Sequence, residues 1–214
     1  MHFTDTWTEL QALDLVRLLA PVGLLLLSLL VPGRHVARPA TALVALSIPW
    51  LPELGPPALA AGWALLWLFV SWRAGAGPRE VAPRPGGGAE PGLVGFGVGL
   101  ALLALLLAGV ARQDLAPEDG RRASWGLLVL AIGLLHLMMR RHAQRALVGF
   151  AAMGLGLQML HGVARGAELP DALPGRGLVL VATALAAALL TRIARGRERV
   201  TGSAWISDAH DLHD

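Results

Sequence analysis

Long apolar runs, interrupted by short clusters of arginine, glycine and proline, make up most of this chain. Inside a bilayer a backbone must satisfy its own hydrogen bonds, so we predict that each run forms a helix rather than part of an open sheet. We distinguish seven runs. They cover residues 13–31, 36–51, 58–72, 91–111, 123–139, 146–163 and 177–191.

The lengths of these runs fit a membrane protein. A helix rises about 1.5 Å per residue and needs about 20 residues to cross the apolar core of a bilayer. The fourth run meets this length fully, whereas the second, which ends at Pro49 and Pro52, and the seventh are short. We predict an all-α polytopic membrane protein with about seven transmembrane helices.

The arginines predict an orientation. With seven spans, the connecting loops alternate between the two sides of the membrane. Twelve of the 18 basic residues fall on one side, in residues 33–39, 73–90, 140–145 and the tail from Arg192. Because arginine is enriched in cytoplasmic loops, we predict the N-terminus outside and the C-terminus in the cytoplasm of a plasma (inner) membrane.

The chain reads as one membrane domain over residues 1–214. A linker rich in proline and glycine, residues 74–91, separates helices one to three (1–73) from helices four to seven (92–192), and a cytoplasmic tail follows over 193–214. Neither group of helices would bury much apolar surface alone, so we expect them to share one core.

Composition excludes several classes of functional site. The chain is 55% hydrophobic with a mean hydropathy of +0.57, and only 15% of its residues are charged, against about 25% in a soluble domain. Cysteine is absent, which excludes disulfides, thiol catalysis and iron–sulfur ligation. We attribute the excess of basic over acidic residues to arginines at membrane edges rather than to a nucleic-acid-binding surface.

Three polar groups inside the fifth and sixth helices are candidates for a proton path: His136, Gln158 and His161. Ionisable or polar groups inside a membrane are often functional. Either histidine could instead be interfacial, because His136 lies one turn from Arg140 and His161 lies near the outer end of its helix. Gln158 and His161 are three residues apart and share a helix face.

The other motifs have simpler interpretations. The segment GFGVG at 95–99 lacks the strand that a dinucleotide site requires, so we interpret its glycines, like Gly149, Gly154 and Gly156, as packing positions.

The C-terminal tail has two interpretations, a metal-binding segment or a simply solvated end. Its candidate metal ligands are Asp208, His210, Asp211, His213 and Asp214. We expect no catalytic, cofactor or metal site. A basic cluster at the cytoplasmic surface comprises Arg140, Arg141, His142 and Arg145.

From about Ser124 onward, the order of helices and loops resembles a known module. Its fixed points are Arg141-His142, Gly149-Phe150, Leu169-Pro170, Leu173-Pro174 and Arg192. This pattern is similar to the three-helix subunit K of complex I and to the related small subunit of multisubunit cation/proton antiporters. With extra helices ahead of the module, the whole chain most resembles component E of hydrogenase-4-type complexes. Those families usually carry an acid after the methionine corresponding to Met153, and another near Val179, where this chain has none.

The resemblance implies a non-catalytic membrane subunit, without a cofactor, of a complex I-like, proton- or cation-translocating assembly. Its partners would be antiporter-like membrane subunits and a cytoplasmic redox or substrate module. Loss of the two acids implies a packing role with at most a residual hydrated path. Two alternatives remain: an independent small transporter or channel, and a membrane enzyme acting on lipid or quinone.

Overall fold

Seven α-helices are found in the part of the chain that the computed structural model describes, residues 12–30, 34–51, 54–74, 90–112, 115–139, 143–164 and 173–201. No strand occurs in these ranges. We number the helices in chain order: α1 (Ala12–Leu30), α2 (Arg34–Ser47), α3 (Pro57–Ala74), α4 (Glu90–Ala111), α5 (Pro117–Met139), α6 (Ala143–Ala164) and α7 (Leu173–Thr201). The all-α prediction is therefore confirmed.

Three helices contain segments long and apolar enough to cross a membrane. Within the described residues these are Pro117–Met138, Ala146–Val163 and Gly177–Val200, and Val16–Leu30 is a shorter apolar segment. At about 1.5 Å per residue, the 14 residues of α2 span only about 21 Å. The three long apolar segments support a multi-pass membrane protein.

The largest differences from the predicted bounds are at the start of α5 and the end of α7. Helix α5 begins at Pro117 rather than 123, because proline suits the first helical position and Glu118 and Asp119 favour the positive end of the helix dipole. Both acids also pair with Arg122, at 3.9 and 3.5 Å.

At the other end of the chain, α7 continues past the predicted apolar run to Thr201, so the first part of the predicted tail is helical. Its last turns contain Arg192, Arg195, Arg197 and Arg199, and arginine and alanine are good helix formers even where the apolar pattern stops.

The helices pack in two layers. One layer is a row of α4, α5, α6 and α7, in which each helix packs on the next. The other contains α1, α2 and α3, again packed in chain order, and joins the row through contacts of α1 with α5 and of α3 with α6 and α7. A single buried core crosses both layers and contains Trp63, Trp67 and Trp125.

A few polar contacts tie the helices together. The indole Nε1 of Trp125 in α5 donates a buried hydrogen bond of 2.7 Å to the carbonyl oxygen of Leu18 in α1. Between α2 and α3, the hydroxyl of Ser71 donates to the Arg38 carbonyl at 2.9 Å. Such bonds fix helix positions because an unpaired polar group would be costly in this interior.

Candidate functional site

Helices α5 and α6 pack backbone against backbone at two pairs of glycines. A Cβ atom at Gly126 would lie 3.0 Å from the Gly156 carbonyl oxygen, and one at Gly133 would lie 2.7 Å from that of Gly149. The numbering rises along one helix as it falls along the other, so the pair is antiparallel. Each helix carries its glycines seven residues apart, which keeps them on one side over two turns.

On its other side, α6 presents Gly154 to Thr183 of α7. A Cβ atom at Gly154 would overlap the Thr183 hydroxyl oxygen and would lie 2.5 Å from its methyl carbon. The Thr183 hydroxyl donates a 2.7 Å hydrogen bond to the carbonyl of Val179, one turn earlier in the same helix. The interpretation of Gly149, Gly154 and Gly156 as packing positions is confirmed.

This contact joins the two positions at which the resemblance places acids. Gly154 corresponds to the first of these positions and Val179 to the second. Thr183 contacts Gly154, and its hydroxyl donates to the backbone carbonyl of Val179. In this chain a short, locally satisfied hydroxyl therefore occupies the space in front of Gly154.

Trp63 of α3 and Gln158 of α6 lie at the same depth in the bundle. Gly62, beside Trp63, faces Leu180 of α7, where an added Cβ would lie 2.6 Å from the leucine Cδ2 atom. Thr183, which contacts Gly154, lies about one turn after Leu180 in α7. Because α6 and α7 run antiparallel from a short connection, the α6 residue level with Leu180 lies one turn beyond Gly154, at Gln158.

The polar atoms at this depth lack protein partners. Trp63 is fully buried and Gln158 is 5% exposed. Within the described residues, no group hydrogen-bonds to Nε1 of Trp63 or Oε1 of Gln158, and the buried Nε2 of His161, one turn further along α6, has none either. An unsatisfied buried donor or acceptor costs about 1–3 kcal/mol. We define Trp63, Gln158 and His161 as the polar layer.

His136 lies elsewhere. It is 1% exposed, and its Nδ1–H donates to the Ile132 carbonyl at 3.1 Å within α5. In the glycine register, position 136 is level with Ala146, twelve residues before Gln158, which corresponds to about 18 Å along the helix axis. The structure thus brings together Gln158 and His161 but not His136.

The residues between these two regions are apolar and fully buried: Val129, Ile132, Ala151, Ala152 and Leu155. They fill the centre of the α5–α6 pair and the face of α6 toward the second layer. Within the described part of the chain, an apolar core therefore separates His136 from Gln158 and His161.

Other predicted groups lie outside the described residues. Arg140, Arg141 and His142 fall in the undescribed segment between α5 and α6, and for Arg145 only the helical backbone is described. The linker 75–89 and the tail with its histidines and aspartates are also outside. Among described side chains, no group of three or more His, Cys, Asp or Glu comes together as a metal site.

Sequence reasoning missed Trp63. The spacing of Trp63 and Trp67, four residues apart on one face of α3, was an available signal for a buried stripe. The packing of α3 against α6 had no local signal, because residues 75–142 separate the two helices in sequence.

Comparison with known proteins adds no relative. No protein-family model, curated protein sequence or solved structure matches this chain. The resemblance to component E and subunit K therefore rests on sequence motifs alone, and the site is interpreted from its own geometry.

Proposed function

We propose that this chain is a non-catalytic integral membrane subunit of a complex I-like, hydrogenase-4-like proton- or cation-translocating assembly. Its main role is to pack laterally between antiporter-like subunits in the plasma membrane, below a cytoplasmic redox or substrate module. The contact of Gly154 with Thr183 carries this proposal. Where the resemblance leads us to expect a proton-handling carboxylate, this chain has Gly154. The Thr183 hydroxyl packs against it and hydrogen-bonds within its own helix.

The outer faces of the bundle support lateral packing. At one end of the row, α7 exposes Leu178, Leu189 and Ile193, whose exposed fractions are 67%, 58% and 65%. At the other end, Leu105 of α4 is 70% exposed. Large apolar faces at both ends suit a subunit with a neighbour on each side, while lipid covers what remains.

Any residual hydrated path would use the polar layer. Trp63 offers an indole N–H, and Gln158 and His161 offer further polar groups toward the predicted outer end of α6. The apolar core between Gln158 and His136 argues against continuation of this path to the basic end of the bundle. This geometry favours a spacer over an autonomous pump.

Purification from native membranes in a gentle detergent tests the assembly. We expect the full chain to co-purify with large antiporter-like subunits, identified by mass spectrometry. A stable monomer without such partners would refute the proposal. Proton or cation flux through liposomes containing only this chain would instead support an independent transporter.

The residual path has its own test in the assembled complex. If the subunit is purely structural, Gln158→Leu and His161→Ala leave proton flux unchanged, as does the control His35→Ala, a substitution of an exposed histidine at the start of α2. Flux lost in the first two variants alone, with assembly intact, would assign the polar layer a conducting role.

The proposed orientation is open to direct labelling, because the chain contains no cysteine. Thr6→Cys and Ser207→Cys place a single thiol near each terminus. We expect a membrane-impermeant maleimide to label the first in intact spheroplasts and the second only after permeabilisation. The cysteine-free parent is the matched control, and the reverse pattern would overturn the orientation.

A further inference from the structure

Two arginines on neighbouring helices lie at the same, arginine-rich end of the bundle. Arg73 lies in the last turn of α3 and Arg195 in the last turns of α7. These helices pack together, and their opposite ends are joined by the contact of Gly62 with Leu180. Burial and repulsion by Arg195 lower the pKa of Arg73, and Glu198 opposes this shift only in part.

Arg73 is held in a setting that calls for an anion. Its Cζ atom lies 5.6 Å from the ring centroid of Trp72, so an aromatic face supports one side of the guanidinium. Its Nε atom is buried and forms no hydrogen bond within the described residues. A lipid cannot reach this buried Nε, so the two terminal nitrogens of Arg73 would form the fork with which arginine binds phosphate oxygens, and Arg195 would add a second cation.

The surroundings favour an amphiphile over a free ion. Exposed Val181, Leu185, Ala188 and Arg192 follow one another at intervals of three or four residues, so they form one stripe along α7. The stripe is apolar toward the middle of the helix and basic at its end. Arg195 and Arg199 are also exposed and continue the stripe at the same spacing. An acyl chain fits the apolar stretch, and a charged headgroup fits the basic one.

We propose that Arg73 and Arg195 together bind the phosphate of one anionic phospholipid, whose acyl chain lies along Val181 and Leu185. The lipid would fill the edge between α3 and α7 and neutralise two like charges that otherwise repel each other. This site does not depend on the proposed partner subunits, because all of its groups belong to this chain.

Native mass spectrometry of the full chain in detergent tests the site with phosphatidylglycerol and phosphatidylcholine as probes. We expect one phosphatidylglycerol to bind at least about tenfold more tightly than phosphatidylcholine. Arg73→Gln and Arg195→Gln should each remove that preference, and Arg73→Lys should keep only part of it because lysine lacks the fork. Arg112→Gln, which changes an exposed arginine after α4, is the control and should bind like the parent.

Thermal unfolding distinguishes the source of the phosphate and detects misfolded variants. Phosphatidylglycerol should raise the midpoint of the parent and of Arg112→Gln but not of the Arg73→Gln, Arg195→Gln double variant. Parent-like unfolding of that variant without lipid shows that it is folded. An equal rise with inorganic phosphate alone would overturn the lipid assignment, and unchanged lipid binding in either single glutamine variant would overturn the shared site.

Discussion

Gly133 of α5 and Gly149 of α6 face each other so closely that neither position has room for a methyl group. Each would place an added Cβ within 2.8 Å of the other's carbonyl oxygen. Backbone atoms cannot rotate aside as side chains do, so this contact sets the separation of the two helices. It also fixes the register that places His136 and Gln158 at opposite ends of the pair.

Gly133→Ala should therefore loosen the α5–α6 pair. The added methyl would lie 2.7 Å from both the Gly149 carbonyl oxygen and the Met153 backbone nitrogen. We expect a loss of about 1–3 kcal/mol of stability, typical of overpacking, seen as a lower midpoint of thermal unfolding in detergent.

Gly162→Ala is the matched control on α6, because an added Cβ there meets nothing within 4 Å. Alanine favours helix over glycine by about 0.5–1 kcal/mol, so this variant should be as stable as the parent or more so. Equal behaviour of the two variants would show that the close glycine contact does not hold the pair together.

The contact between Gly154 and Thr183 should behave as a coupled pair. Gly154→Ala alone is expected to destabilise the protein, because its methyl would overlap the threonine hydroxyl. Thr183→Ala removes the two closest atoms but leaves Cβ, which would still lie 2.9 Å away. The double variant should therefore recover part of the loss.

A double-mutant cycle measures this coupling, which we expect to fall between about 0.5 and 3 kcal/mol for residues in direct contact. Thr183→Ala by itself should cost little, since its lost hydrogen bond lies within one helix. Strict additivity of the two substitutions would mean that α6 and α7 do not meet at this point.

Trp125→Phe tests the bond between the two layers. It keeps an aromatic ring in the core but removes the N–H that donates to the Leu18 carbonyl at 2.7 Å. We expect a loss of about 0.5–1.5 kcal/mol in unfolding free energy. Trp50→Phe, at a residue 64% exposed, is the control and should change stability less. Equal effects would argue against a bond that joins α1 to α5.

Local sequence features predicted the helices, but not the way in which they pair. Apolar runs and proline positions located all seven, and the glycines of α6 were recognised as packing sites because a missing side chain allows close approach. Which glycine meets which residue depends on register, and runs of leucine and alanine offer many similar registers.

The apolar pattern does not locate every helix end. The apolar run stops at Thr191, yet α7 continues because arginine and alanine favour helix without being buried. The sequence placed His136 beside Arg140 and His161 near the far end of its helix, and the antiparallel pairing of α5 with α6 likewise puts one histidine toward each end of the pair. The apolar core between them could not be predicted, because burial depends on which helices pack against this pair.

Gln158→Leu should stabilise the isolated chain. The side chain is buried, and its Oε1 accepts no hydrogen bond within the described residues. Leucine has a similar volume and leaves no acceptor unsatisfied, so we expect a gain of about 1–2 kcal/mol in unfolding free energy. Leu155→Gln, one turn away on the same buried face, should lose at least as much. A loss of stability in Gln158→Leu would instead indicate that the amide is satisfied in the membrane, for example through water shared with the Trp63 indole, and would make the polar layer a hydrated element of the fold.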